Sequence, residues 1–414
     1  RSTPEQEGAE TNESAAFFRH NGNTDGNAPL QDGDATVPAG FLPKINSAIK
    51  DLSYNIGYQT VFENGASLDL SHTYGQNHID YITSETINSS FANSLQFTSA
   101  MTANEIRSAV PREAFAYGLA LSLSTINIDY SQDFDRFSLA MGAELRTDSY
   151  KVTPGHEYSY RDYDTVNGGS LFATDRSAGT QGFGGISSVS KVEETRQVFS
   201  FFADAEMQVT EGIIVNTAIR YDNYNGFGGS TNFKLAANWA LTPNITLRGA
   251  LSTGFRAPSM QQLYFNNIST QFITNPDEPA GDQIAVQVGT FRNDSNLAQA
   301  IGIPQLKEEE ATNVSLGTVI NISDRFNITI DWYSIDIDDR IVISNKLSQG
   351  LSPALDFALT SSSAGAGQFF LNGANTETKG VDVIATWGTE LLKGSFDLTV
   401  AANFTETNVI NLFT

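Results

Sequence analysis

Cysteine is absent from the 414-residue sequence, which excludes a disulfide framework, a thiolate metal site and a cysteine nucleophile. Positive charge is scarce: 24 Lys plus Arg stand against 47 Asp plus Glu, a formal net charge of −23. Phosphates along a nucleic acid would meet nothing to neutralise them, so nucleic acid is excluded as a partner. Only His20, His72, His78 and His156 are available as imidazole ligands. His72 and His78 share a strand face, but no His-x-x-x-His pair occurs and zinc is not expected. No Gly-x-Ser-x-Gly elbow or P-loop can be read, and Gly182-Phe183-Gly184-Gly185 lacks the last glycine of a dinucleotide turn. Neither enzymatic chemistry nor a resident cofactor is therefore expected. Long hydrophobic runs are missing too, since no window approaches the roughly 18 apolar residues of a spanning helix. The start, Arg1-Ser2-Thr3-Pro4-Glu5, has no apolar signal region.

What is present is apolar and aromatic material in short doses. Hydrophobic residues make up 40% and charged ones only 17%, with 34 Gly, 27 Phe and 14 Tyr, unlike a disordered acidic tail. Apolar residues recur at every second position, the period of a strand with two different faces. Phe137, Leu139, Met141, Ala143 and Leu145 alternate with Ser138, Ala140, Gly142, Glu144 and Arg146. Ile213, Val215, Thr217, Ile219 and Tyr221 alternate with Asn216, Ala218, Arg220 and Asp222. Phe233, Leu235, Ala237, Trp239 and Leu241 stand opposite Asn232, Lys234, Ala236 and Asn238, and Leu247 and Leu251 opposite Arg248, Ser252 and Arg256. Strands of a soluble sandwich average about five or six residues. These run to roughly ten or more, enough to cross a bilayer at a tilt, which hydropathy scanning for helices does not register. About twelve such strands can be counted. The alternation slips between Leu123 and Ile126, where a bulge is expected to restore the outward face.

The connections alternate in length. Short turns are expected at Glu63-Asn64-Gly65, Asp133-Phe134-Asp135, Thr210-Glu211-Gly212, Thr242-Pro243-Asn244 and Ser323-Asp324-Arg325. Long polar or Gly-rich stretches lie between them at about 82–116, 151–194, 257–308 and 344–375, with one short exception at Asn225 to Gly229. A meander with tight turns at one end and long loops at the other is the layout of an outer-membrane barrel. Tyr130, Phe137, Tyr150, Tyr221, Trp332 and Trp387, near strand ends, are candidates for its aromatic girdles.

Four stretches carry a family resemblance, in order. Gly254-Phe255-Arg256-Ala257-Pro258, followed by Ser259 to Tyr264, resembles the point at which a strand leaves the bilayer in the barrel of TonB-dependent outer-membrane receptors. Leu306 to Gly317, Asp331 to Ile341 and Asn375 to Val383 are similar to later stretches of the same family. The resemblance implies an all-β, antiparallel transmembrane β-barrel meander, incomplete at about 12 of about 22 strands, with no plug domain in this chain. It places 1–53 as a long outer loop and strand start, 54–256 as strands with long outer loops, 257–308 as a long outer loop, and 309–414 as C-terminal strands cut short. It also implies uptake of a scarce ligand such as a siderophore, vitamin or glycan. The partners implied are outer-membrane lipid, a plug and, through it, a TonB energy-coupling complex. A secreted β-rich adhesin or binding module is the alternative; Asn-x-Ser/Thr triplets at Asn88, Asn293 and Asn313 would fit it.

Candidate ligand residues lie in the outer loops: Tyr158, Tyr160, Arg161 and Tyr163 in one cluster, Tyr264, Phe265, Gln271 and Phe272 in another. Aromatic faces with amide donors suit flat or polyhydroxylated ligands, although a loop packing on itself has the same composition. Arg220, Asp222, Lys234, Arg248 and Arg256 are expected to face the lumen and hold a plug through ion pairs, with their partners missing from this chain. Asn21, Asn23, Asp25 and Asp32 have the spacing of a calcium loop, but flanking helices are absent and Pro29 occupies a ligand position. Glu308, Glu309 and Glu310 read as a solvated charge run, and Asp336, Asp338 and Asp339 as a solvated rim.

Overall fold

A computed structural model describes residues 42–412 apart from 99–100, 102, 164, 167–168, 171–177, 227, 275–282, 363 and 392–393. The calcium-like spacing from Asn21 to Asp32 lies outside the described residues. Twelve strands form one antiparallel sheet: β1 (Lys44–Val61), β2 (Ser67–Ser84), β3 (Glu113–Phe134), β4 (Phe137–Pro154), β5 (Val192–Thr210), β6 (Ile213–Tyr224), β7 (Gly228–Thr242), β8 (Ile245–Arg256), β9 (Glu309–Ser323), β10 (Phe326–Ile343), β11 (Phe370–Leu391) and β12 (Gly394–Leu412). Each strand pairs with its neighbours in sequence, so the five expected short turns all fall at one end. Local chemistry makes those turns. At the first, Gly65 takes φ +81 and its N–H reaches Phe62, while the Asn64 side chain accepts from Ala66 N–H.

Burial is inverted relative to a soluble sheet. Large apolar side chains stand exposed along the outer face, among them Leu145, Ile219, Leu235, Leu316 and Phe404, the last at 67%. Hydrocarbon is the solvent that makes such a surface stable. β1 and β12 each pair on one side only, and a free edge of this length demands a strand partner within lipid.

The slip in β3 is not a bulge. Its pairing runs unbroken through Leu123↔Gly75 and Ile126↔His72 on one side and Leu123↔Asp148 and Ile126↔Leu145 on the other. The apolar residues change face instead. Ile126, Leu145 and Phe199 form one outward register row across β3, β4 and β5, each about half exposed. The next outward rows are Ser124, Thr147, Gln197 and then Ser122, Ser149, Thr195. Above Ile126 the apolar side turns inward through Leu123, Leu121 and Leu119, beside Tyr150 and Val152. β3 has 22 residues, twice the roughly 9–11 a tilted strand needs to cross a membrane, so its upper half stands in water and packs under the loops. Tyr150, 1% exposed in this inner core, is therefore not a girdle residue. Tyr221, Trp332 and Trp387 do stand on the outer face.

The long connections hold cores of their own. The 85–112 stretch carries α1 (Ser89–Thr98) and α2 (Ala103–Ala109); 155–191 carries α3 (Glu157–Tyr160); 257–308 carries α4 (Met260–Tyr264) and α5 (Asn296–Ala300); 344–369 carries α6 (Pro353–Ser361). Phe291 and Leu297 of the third loop bury against Leu355, Leu359 and Phe369 of the fourth. A parallel pairing of Val288–Thr290 with Ala366–Gln368 ties the same two loops. Ile87, Ala92, Ile106 and Val110 make another core in the first loop.

Candidate functional site

Alternation places one ionic row after another on the inner wall. Arg220 of β6 pairs with Asp222 at 2.8 Å, and Ser200 donates to the same carboxylate at 2.5 Å. Arg248 of β8 reaches Asp331 of β10 at 2.5 Å across the intervening Gly317. A methyl group at Gly317 would collide with the Asp331 carboxylate and the Arg248 Nε, so the glycine is the gap through which the pair closes. Arg256 pairs with Glu309 at 3.8 Å. The partners expected to be missing for these three arginines thus stand in the wall itself. Lys234 differs: among the described residues it makes no ion pair.

Sequence reasoning missed the upper members of this network. Arg196, 8% exposed, places Nε and Nη2 on Asp148 at 3.2 and 2.8 Å. Its Nη1 donates to the Pro258 carbonyl at 2.7 Å. Arg146 lies 3.1 Å from Asp148 and donates to the Tyr224 hydroxyl at 3.3 Å. The signal was parity: Arg146, Asp148 and Arg196 fall on the polar side of β4 and β5, but their meeting depends on register. Arg146, Phe202, Arg220, Tyr224 and Lys234 line a concavity of about 710 Å³ on this wall.

The resembling Gly-Phe-Arg-Ala-Pro stretch ends β8 as expected, and its Pro258 is held by Arg196. Immediately after it, Ser259 caps α4: its Oγ accepts from Gln262 N–H, and the Gln262 side chain accepts from Ser259 N–H. Met260 of this helix is 3% exposed, buried on Tyr150, Val152, Ile186 and Val192. Glu309 is not part of a solvated run. It is 6% exposed and accepts the Ile341 N–H at 2.9 Å besides pairing with Arg256. Asp339 likewise leaves the expected rim: it sits at φ +55 in a register shift of β10 and pairs with Lys307 at 2.6 Å.

The outer-loop clusters pack against neighbouring loops and strand ends. Tyr158 accepts from Asn88 N–H and donates to the Pro111 carbonyl, each at 2.8 Å, and burial pushes its hydroxyl up to about 12. Tyr163 meets Phe91 edge-on at 5.0 Å and lies under Arg161, whose Nη1 is held by Glu157. Tyr160 is half-buried. Tyr264 packs on the Tyr150 core beneath Arg292 at 4.9 Å, and Phe265 joins the same core. Gln271 is half-buried on a short strand, Asn267–Thr274. The Phe272 side chain lies outside the described residues. Asn88 is fully buried and gives its amide to the carbonyls of Tyr158 and Arg161. Asn293, 5% exposed, gives its own to Pro304 and Phe370. Neither can accept a sugar in this fold, which removes the support they lent to a secreted adhesin.

The family model described as "TonB dependent receptor-like, beta-barrel" matches residues 3–412. The ferrienterobactin receptor of Escherichia coli strain K12 is 28% identical over 99 residues, 23% of this chain and 13% of that protein. The ferric enterobactin receptor PfeA of Pseudomonas aeruginosa superposes with a TM-score of 0.54 at 17% identity, covering 86% of this chain and 43% of that one. The siderophore receptor PirA of Acinetobacter baumannii superposes at 0.52 and 14% identity, covering 88% and 45%. The chain spans less than half the length of either solved structure, and at these identities the likeness is one of fold.

Proposed function

Because the chain belongs to the TonB-dependent receptor β-barrel family, whose barrels lie in the bacterial outer membrane, we propose that it forms part of the wall of a receptor that imports a ferric siderophore. The observation that carries this reading is the inverted sheet: an outward apolar band closed above by the Ile126–Leu145–Phe199 row, with paired charges on the opposite face. Such a wall excludes lipid from a polar path, and the inward arginines Arg146, Arg196, Arg220, Arg248 and Arg256 each stand on a carboxylate of the wall. The choice of siderophore over vitamin or glycan is supported by the functions named for the three relatives.

In this reading the outer loops capture ligand and the paired inner wall offers a smooth, hydrated surface beside a plug. Energy reaches the receptor from an inner-membrane TonB complex pulling on that plug. Of the lumen residues expected at a plug contact, Arg220, Asp222, Arg248 and Arg256 find ion-pair partners within the wall.

Deletion of the full-length gene tests the proposal. Growth on individual ferric siderophores as sole iron source should fail for at least one chelate and return on complementation. Unchanged growth and unchanged radioactive-iron uptake on every chelate, with growth lost instead on a vitamin or glycan, overturns the siderophore assignment.

A further inference from the structure

Five Asn-Gly pairs occur in the sequence. Asn21-Gly22 and Asn167-Gly168 lie outside the described residues, which leaves Asn64-Gly65, Asn225-Gly226 and Asn372-Gly373. At such a dipeptide the backbone can attack its own asparagine side chain, because glycine puts no Cβ in the way of its amide nitrogen. The three stand in different surroundings. Gly65 N–H is engaged by the Phe62 carbonyl at 2.9 Å, and the Asn64 side chain accepts from Ala66 N–H at 3.1 Å. Asn372 is pinned more fully: its Nδ2 donates to the carbonyls of Lys307 and Asp339 at 3.0 and 2.7 Å, and its Oδ1 accepts from Lys307 N–H at 3.0 Å. Asn225 sits at the tip of the β6–β7 hairpin, directly after the Tyr224↔Gly228 pair. Its own N–H is fixed on the Gln197 carbonyl at 2.9 Å, but among the described residues no hydrogen bond engages its side chain or the Gly226 N–H. Both residues are exposed. Gly226 takes φ +113 with no atom within 4 Å of where a Cβ would stand, so nothing blocks the approach of the reacting groups.

We infer that Asn225 is a site of spontaneous, backbone-assisted deamidation in the folded receptor, while folding protects Asn64 and Asn372. The chemistry needs only water. The Gly226 nitrogen loses its proton and bonds to Asn225 Cγ; the Cγ–Nδ2 bond breaks, and the side-chain nitrogen leaves as ammonia with a proton in place of that bond. Water then opens the resulting succinimide at either carbonyl, leaving aspartate or isoaspartate. A carboxylate thereby replaces a neutral amide at the hairpin tip, beside Thr147, Gln197 and Phe199 in a concavity of about 470 Å³. Isoaspartate also adds a methylene to the backbone of the loop. Gly226 and Gly228, both at positive φ, give that loop slack, and Tyr224, 6% exposed with the Arg196 guanidinium 5.1 Å from its ring centre, holds the strand below it. The conversion changes the charge of the rim and leaves the wall paired.

The test incubates the full-length receptor in lipid vesicles at mildly alkaline pH, beside the same protein unfolded in urea. Peptides are then mapped by mass spectrometry for the amide-to-acid mass gain, with isoaspartate scored by enzymatic methylation. Each asparagine is its own reference, since the ratio of folded to unfolded rate cancels the effect of neighbouring residues. A hydrogen bond that must open before attack slows it about two- to tenfold. Asn225 should keep a ratio within about threefold of unity, Asn372 with its three side-chain bonds should fall at least about tenfold, and Asn64 should lie between them. Asn225→Gln should abolish conversion of that peptide and leave the folded fraction unchanged. The site is overturned if the Asn225 peptide keeps its mass while the unfolded chain converts, or if its ratio is no higher than those of Asn64 and Asn372.

Discussion

A single arginine placed on the outer face of β7 should report both the face and the depth of the membrane. Leu235 is 52% exposed, seven residues from Thr242 at the turn end of β7. At about 3.4 Å per residue that is about 24 Å along the strand, or about 17 Å of height at a tilt of about 45°. The apolar band of an outer-membrane barrel is about 25 Å tall, so Leu235 lies about two thirds of the way up it, inside the hydrocarbon, where arginine costs about 2–4 kcal/mol. Leu241, on the same face but beside the turn, lies near the boundary, where the cost falls to about 0–1 kcal/mol. The difference of about 2–3 kcal/mol corresponds to about 30- to 150-fold in the folded-to-unfolded ratio. Asn216 supplies the control for facing. Its partner Ala236 is adjacent to Leu235 in sequence, so the depth is nearly the same, but its side chain points inward to Asp204, with Glu206 opposite in register. An arginine there finds two carboxylates and should cost less than about 1 kcal/mol. The assay is the heat-modifiable folded fraction of the full-length protein in outer membranes, with a urea titration in lipid vesicles. If Leu235→Arg is no worse than Asn216→Arg, the assigned faces are wrong; if it is no worse than Leu241→Arg, the assigned depth is wrong.

Three further outcomes are expected. Arg196→Met leaves Asp148 to Arg146 alone and releases the Pro258 carbonyl; losing a charged hydrogen bond costs about 1.5–3 kcal/mol, and protease cleavage between residues 257 and 266 should accelerate, an unchanged cleavage rate counting against the tether. Gly317→Ala pushes a methyl group into the Arg248–Asp331 pair and should destabilise by about 1–3 kcal/mol through overpacking; a urea midpoint equal to wild type would show that the gap is not required. Tyr158 has its hydroxyl raised from 10.0 to about 12 by burial, so folding favours the neutral phenol: its contribution to loop packing is complete below pH 10 and is lost as pH rises through 12. The phenolate absorbance difference between wild type and Tyr158→Phe should therefore titrate near 12, and a midpoint near 10 in the folded protein would contradict the packing described.

Much of the wall was legible from residues alone. Alternation is a local property of an extended backbone, so the outward faces of Leu235, Leu247 and Ile219 and the inward faces of Lys234, Arg248 and Arg220 followed from counting by twos. Turn positions were legible for the same reason, because the polar and Gly-containing triplets that make them are contiguous. The clusters of aromatic residues in the loops were visible as well, but their composition fits capture and self-packing equally. Only contacts from Tyr158 to Asn88 and from Tyr264 to the Tyr150 core distinguished the two for those residues.

Local order along the chain thus determined that this protein is a meander of two-faced strands, which side of each spanning stretch meets lipid, and where the tight turns lie. Tertiary structure decided what the slip after Leu123 means, which charges cancel, and where a core exists at all. Arg248 and Asp331 are 83 residues apart and meet only because register aligns three strands over a glycine. Ile126 marks the top of the lipid band only because Leu145 and Phe199 stand beside it. Periodicity along one strand says which residues share a side; lateral register across strands, set by pairing between distant segments, says what that side touches.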